Sequence, residues 1–235
     1  MSIRAVVFDL DGTLLDTEKL YQRFWVEAAN RMGYPMQPKH TLLIRATAPE
    51  IAQTILREVV CPEFDYMAVR ALRRELMEAY IDAHGVEPKP GLLAVLEALR
   101  GRGMVIGLAT ATDVSRARKY LRMVGADGCF DAMVSASMVA RGKPAPDVYE
   151  EAVRRLGVSP REALAVEDAP SGIHSAHAAG LWPVMIPDRD EPTPELRALC
   201  AAILPGLDAL PAFIDGFARE TGFEKKMSEK SQKTC

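Results

Sequence analysis

The sequence predicts an α/β fold: a doubly wound, Rossmann-like parallel sheet with a helical domain inserted after its first strand. Three observations carry this. Short apolar runs recur along the chain with helical patterns between them, which implies a parallel sheet covered on both faces. The stretch from Thr17 to Pro88 breaks that rhythm, with helical periodicity and no convincing strand. At 235 residues the chain exceeds one typical domain of about 150 residues without reaching two, which suits a core with a smaller insert.

Ile3 to Phe8 is apolar and rich in β-branched residues, as a strand buried on both faces should be. It stops at Asp9-Leu10-Asp11-Gly12-Thr13. Leu20, Phe24, Ala28 and Met32, then Ile51, Ile55 and Val59, then Val69, Leu72, Leu76 and Tyr80 mark the helices of the insert. Pro88-Lys89-Pro90-Gly91 punctuates the return to the α/β pattern. Leu92, Val95, Leu96 and Leu99 then form a helical stripe ahead of a second strand, Val105 to Ala109. Val114, Ala117, Leu121 and Val124 precede Gly125, and Met133-Val134 is the third strand. Tyr149, Ala152, Val153 and Leu156 form a helix stopped by Gly157. Ser159-Pro160-Arg161-Glu162 reads as a capping box with proline at the first helical position. Ala163 to Val166, Pro183 to Ile186 and, weakly, Ala201 to Leu204 complete the strands. The expected core is residues 1–16 with 89–222, the insert 17–88, and 223–235 a Lys- and Ser-rich flexible tail.

Composition narrows the class. With 49% hydrophobic and 26% charged residues the chain can build a globular core, which excludes a disordered polymer. A net charge of -3 offers no basic field for nucleic acid or an anionic membrane. No apolar stretch approaches the roughly 20 residues that span a bilayer. Val6-Val7-Phe8 follows Arg4 too soon for a secretion signal. Cys61, Cys129, Cys200 and Cys235 share no metal-ligand spacing and read as reduced thiols of a cytoplasmic protein. A monomer or weak homodimer is expected.

Ligands of parallel sheets bind beyond the carboxyl ends of the strands. Asp9 and Asp11 follow the first strand, Thr110, Ala111 and Thr112 the second, Gly142-Lys143-Pro144 lies past the third, and Glu167 and Asp168 follow the fourth. Carboxylates that converge repel one another unless a cation joins them. A hard divalent ion, Mg²⁺, suits oxygen ligands, with Asp9 and Asp168 binding it and Glu167 close by. Beside such a site, Lys143 and Thr110 would stabilise the oxygens of a phosphoryl group. Asp9 could attack phosphorus, and Asp11 could protonate the leaving oxygen and later activate water. His174 and His177 stand three apart, but no third ligand of matching softness is near in sequence.

Asp9-Leu10-Asp11-Gly12-Thr13-Leu14-Leu15-Asp16, Thr110, Lys143-Pro144 and Glu167-Asp168 match in order the four motifs of the haloacid dehalogenase-like hydrolase superfamily, which the chain resembles over about residues 4 to 219. The insert resembles the helical cap of the branch that includes β-phosphoglucomutase, as do the stretches from Glu167 to Ile173 and Ala178-Ala179-Gly180. The resemblance implies a Mg²⁺-dependent phosphotransferase with Asp9 as nucleophile, Asp11 as acid and base, and Thr110 and Lys143 in the catalytic set. It implies a metal held by Asp9, Glu167, Asp168 and the Asp11 backbone carbonyl. It implies substrate contacts from Thr110, Ala111, Lys143 and Thr17, and a cap hinged near Asp16-Thr17 and Pro88 to Gly91 that closes over the site.

Asp11 is the residue that true dehalogenases lack, so phosphoryl transfer is the expected chemistry. Thr17-Glu18-Lys19-Leu20-Tyr21 has no counterpart of the mutases' cap histidine, and Ile44-Arg45-Ala46-Thr47-Ala48-Pro49-Glu50 lacks their glycine followed by arginine. The expected function is therefore a phosphatase acting on a small phosphomonoester, a sugar or nucleoside phosphate, with a β-phosphoglucomutase-like mutase as the alternative. Asp16-Thr17-Glu18 with Leu20-Tyr21, and Val184-Met185-Ile186-Pro187-Asp188, are similar to sugar-phosphate and pseudouridine-5′-phosphate phosphatases of this branch. A binding protein that has kept the fold and lost turnover is disfavoured, because every catalytic position is filled.

Overall fold

A computed structural model describes residues 2–45 and 47–217. Ala46, the end of the expected core (218–222), the expected tail (223–235) and Cys235 lie outside the described residues. The chain forms two compact units: one runs up to Leu15 and resumes at Pro88, the other is Asp16–Glu87.

The first unit is built on a six-stranded parallel sheet. Its strands are β1 (Ala5–Phe8), β2 (Val105–Thr110), β3 (Ala132–Ser135), β4 (Ala163–Glu167), β5 (Trp182–Met185) and β6 (Ala202–Ile203). They lie in the order β3-β2-β1-β4-β5-β6. All four β1 side chains are buried, which is why Ala5-Val6-Val7-Phe8 reads as a continuous apolar run. Phe8 is level with Leu108 of β2 and Val166 of β4. The order reverses between β1 and β4, the switch point where open α/β sheets bind ligands.

The second unit holds α1 (Glu18–Arg31), α2 (Pro38–Leu42), α3 (Pro49–Val59) and α4 (Tyr66–His84). Its core joins Trp25, Ala28 and Ala29 of α1 to Ala52 and Leu56 of α3 and to Phe64, Tyr66 and Val69. Asp65 starts α4 by accepting a 3.0 Å bond from the Ala68 N–H. The short α2, five residues opened by Pro38, was not expected, because one turn is too brief to show a periodic stripe. Arg73 of α4 is buried, with its guanidinium carbon 4.7 Å from the Tyr21 ring centre and 5.3 Å from that of Trp25. Its Nε has no hydrogen-bond partner.

Within the first unit Lys89 N–H donates to Leu14 C=O at 2.8 Å, and Leu15 pairs with Pro88. Within the second, Asp16 N–H donates to Glu87 C=O at 2.9 Å. Lys19 Nζ pairs with Asp16 at 2.8 Å and also with Glu87. Lys89 Nζ meets Asp188 Oδ1 at 2.7 Å.

The sheet is covered by α5 (Leu92–Gly101), α6 (Val114–Met123), α7 (Asp147–Leu156), α8 (Pro170–Ala178) and α9 (Pro194–Leu199). Val148, Tyr149, Ala152 and Val153 of α7 belong to the same packed cluster as Val7, Ala109, Val134 and Ala165 of the strands. Gly157 ends α7 with a positive φ of 67°, as its position implied. The expected helix at Ser159 is instead a single 3-10 turn, Pro160–Glu162, in which Ser159 N–H donates to Glu162 Oε2 at 3.0 Å. The apolar run of β4 begins at Ala163, and that leaves room for no second turn. Among the described residues, no helix is long and apolar enough to cross a membrane.

Candidate active site

Asp9 extends β1 by one step, its N–H donating to Val166 C=O at 2.9 Å. The chain then turns sharply: Leu14 and Leu15 N–H both donate to Leu10 C=O, and Gly12 N–H donates to Leu15 C=O at 2.9 Å. Gly12 has φ +92°, a left-handed conformation that side chains disfavour. Next to it, Thr13 Oγ1 donates to Asp168 Oδ1 at 3.1 Å.

Lys143 lies in the loop before α7. Its ammonium donates to Asp9 Oδ1 at 2.5 Å, Glu167 Oε1 at 2.5 Å and Ala109 C=O at 2.8 Å. An ammonium has three protons, so this set uses them all. The loop is pinned in turn, since Ser175 Oγ of α8 donates to Ala145 C=O at 2.6 Å.

Glu167 ends β4, and its Oε1 also accepts from the Tyr149 hydroxyl at 2.6 Å. Thr110 ends β2, and its Oγ1 accepts from Thr112 N–H at 2.9 Å. Thr112 Oγ1 donates to Asp11 Oδ2 at 2.7 Å. Asp9, Glu167 and Asp168, all buried, each offer a carboxylate oxygen within 4.8 Å of the others. That group does not include the Asp11 carboxylate. Ala111 is exposed beside Thr110. Thr17 belongs to the inserted unit, where it is buried and its carbonyl accepts from Leu20 and Tyr21 N–H at 2.9 Å each. His174 and His177 are exposed on α8.

Three residues were missed by sequence reasoning. In the sequence Tyr149 shows only as part of a helical stripe, although a buried phenol must find a partner for its hydroxyl. Thr112 stands at the strand end with nothing in its neighbours to signal a partner. The Ala109 contact is made by backbone, which residue type cannot announce.

Burial pushes Asp9 up to about 8, opposed by the Lys143 charge and reinforced by those of Glu167 and Asp11. Burial would lower Lys143, but the charges of Asp9 and Glu167 outweigh it and hold the ammonium above its ordinary range. Burial and the same acids hold the Tyr149 phenol well above its usual value, so it remains a donor. Burial therefore weighs against the ionised form of Asp9, and the neighbouring acids add to it, while the single lysine only partly opposes them. An oxygen-only donor set of this kind fits a hard divalent cation.

Residues 3–180 match the family model of haloacid dehalogenase-like hydrolases. The chain is 33% identical over 179 residues to fructose-1-phosphate phosphatase YqaB of Escherichia coli (strain K12), covering 75% of this chain and 93% of that one. Hexitol phosphatase A of the same organism is 33% identical over 181 residues, covering 77% and 81%. Among solved structures, CbbY from Rhodobacter sphaeroides in complex with phosphate is similar at a TM-score of 0.74 and 27% identity, over 91% of this chain and 99% of that one.

Proposed function

The chain belongs to the haloacid dehalogenase-like hydrolases, and from that premise we propose that it is a Mg²⁺-dependent phosphatase that hydrolyses a small phosphomonoester, a sugar or nucleoside phosphate, through an aspartyl-phosphate on Asp9. The observation that carries this is the Lys143 ammonium bridging Asp9 and Glu167 within the buried three-carboxylate cluster. The relatives named as fructose-1-phosphate and hexitol phosphatases support the sugar-phosphate class.

Asp9, Glu167 and Asp168 would hold the cation, with the Asp11 backbone carbonyl. When bound, it supplies positive charge against the phosphoryl oxygens and favours the ionised form of Asp9. Lys143 takes Oδ1 of Asp9 and keeps the carboxylate in place for attack. The Asp9 oxygen bonds to phosphorus as the bond to the leaving oxygen breaks, and Asp11 gives that oxygen its proton. Asp11 then takes a proton from water, the water oxygen attacks phosphorus, and the bond to Asp9 breaks to free phosphate. The Thr112 hydroxyl holds Asp11 Oδ2 throughout. Thr110 and Ala111 steady the transferred oxygens as donors, and Lys143, whose protons are committed to Asp9, Glu167 and Ala109, acts on them through its charge, which is where fixed dipoles and charges lower a barrier most.

A panel of phosphate esters assayed with and without EDTA tests the proposal. Turnover that survives EDTA, or full activity in Asp9→Asn, would sink it. Incubation with a hexose 1-phosphate separates hydrolysis from isomerisation: free phosphate is expected, and a 6-phosphate product would favour the mutase.

A further inference from the structure

We propose that Tyr149 is a positioning residue of this site. Its phenol holds Oε1 of Glu167 against the Lys143 ammonium, so that Oε2 is the oxygen left to the cation. The inference rests on the metal-dependent reading above and assigns a residue that the four motifs do not contain.

Glu167 Oε1 accepts two bonds, from Tyr149 at 2.6 Å and from Lys143 at 2.5 Å. No donor among the described residues reaches Oε2. The Lys143 nitrogen also stands 5.1 Å from the Tyr149 ring centre, close enough for the ring face to attract the cation. Gly172 closes the other side of the carboxylate. A β-carbon there would stand 1.9 Å from Glu167 Cδ and 2.0 and 2.2 Å from its two oxygens. The carboxylate is thus clamped between a hydroxyl, an ammonium and bare backbone, and it has no room to turn.

Packing alone does not ask for a tyrosine here. Tyr149 is fully buried in the cluster that includes Ala109, Val134 and Ala165, where phenylalanine would fill nearly the same volume. The hydroxyl adds one thing, a donor aimed at Glu167. Tyr149 lies in the first turn of α7, and the loop before that helix supplies Lys143. One short segment therefore delivers both groups that hold Oε1. Partners that orient a metal ligand in this way typically account for 10- to 100-fold in affinity or activity.

Titration of the metal-free protein with Mg²⁺ by calorimetry tests this without relying on turnover. Tyr149→Phe is expected to weaken Mg²⁺ binding about tenfold and to lower kcat while leaving KM for the ester within about twofold. Glu167→Gln should weaken binding too, and the double variant should be no weaker than Glu167→Gln alone, because the hydroxyl acts through that carboxylate. Unchanged Mg²⁺ affinity in Tyr149→Phe, or additive losses in the double variant, would overturn the assignment. So would a lower Tm in EDTA with the Mg²⁺-induced rise in Tm still equal to that of the unaltered protein, which marks a packing role only. Absence of Mg²⁺ binding by the unaltered protein would instead overturn the metal-dependent reading itself.

Discussion

Gly12 and Asp168 share one volume: a β-carbon on Gly12 would stand 2.3 Å from Asp168 Oδ2 and 2.7 Å from its Cγ. The Asp168 carboxylate is seated on bare backbone, and Thr13 beside it donates to Oδ1. Gly12→Ala must both strain a positive φ, at about 1–2 kcal/mol, and displace the carboxylate. We expect a Tm several degrees lower and Mg²⁺ binding weakened at least tenfold. Calorimetry and thermal melting check both, and near-normal metal affinity would show that Asp168 can move without consequence.

Lys143→Met leaves Asp9 and Glu167 buried beside each other with no counter-charge. Lys143 holds Asp9 and sets a fixed positive charge beside the transferred oxygens; loss of one preorganised group at a transition-state oxyanion typically costs about 10²–10³ in kcat, and we expect a loss of that size. Steady-state kinetics at saturating ester checks it. A loss under threefold would remove Lys143 from the catalytic set.

The contribution of Asp9 to the stability of the metal-free protein should shrink as pH rises. Burial raises Asp9 in the folded state to about 8, above its ordinary 3.8. A raised folded value means the contribution is fully present below the unfolded value and lost as pH climbs through the folded one. In EDTA, the Tm of the unaltered protein minus that of Asp9→Asn is expected to fall between about pH 4 and pH 8, and saturating Mg²⁺ should flatten that fall. A difference that rises with pH would contradict the environment assigned to Asp9.

Burial pushes the Cys200 thiol up to about 11. The thiolate is the reactive form, so at pH 8 only about one molecule in a thousand is primed. Iodoacetamide labelling of Cys200, followed by peptide mass, should be slow at pH 8 and accelerate steadily toward pH 11. Rapid labelling at neutral pH would show that the thiol is not shielded.

Arg73 is buried without an acidic partner among the described residues, and it rests on the Tyr21 and Trp25 rings. Replacement of a buried charge by an apolar chain of similar length is often neutral or stabilising. Arg73→Met is expected to melt at the same temperature or higher. A Tm lower by more than a few degrees would mean that the ring contacts outweigh desolvation.

The sheet was legible because its inner strands bury both faces and so read as apolar runs, with Val105 to Ala109 predicting β2 to within one residue, whereas the half-buried β6 gives only a weak signal. Asp9, Glu167 and Asp168 were legible because acids directly after such runs have few structural reasons to be there. What escaped prediction depends on partners remote in sequence. Tyr149 looks like any residue of a helical stripe until Glu167, 18 residues on, is seen to accept its hydroxyl. Ser159 to Glu162 carries the side chains of a helix start, yet the strand that follows overrides them.

The inserted segment departs and re-enters through one seam, since Asp16 and Glu87 hydrogen-bond backbone to backbone. Its two ends are neighbours, so the host sheet needs no spacer to accommodate whatever lies between them. Leu15 and Pro88 pair directly on the host side of the same junction, so the gap that the insert bridges is short. The insert is thus one contiguous piece of coding sequence whose two ends meet, the arrangement in which an inserted domain leaves its host's chain path least disturbed.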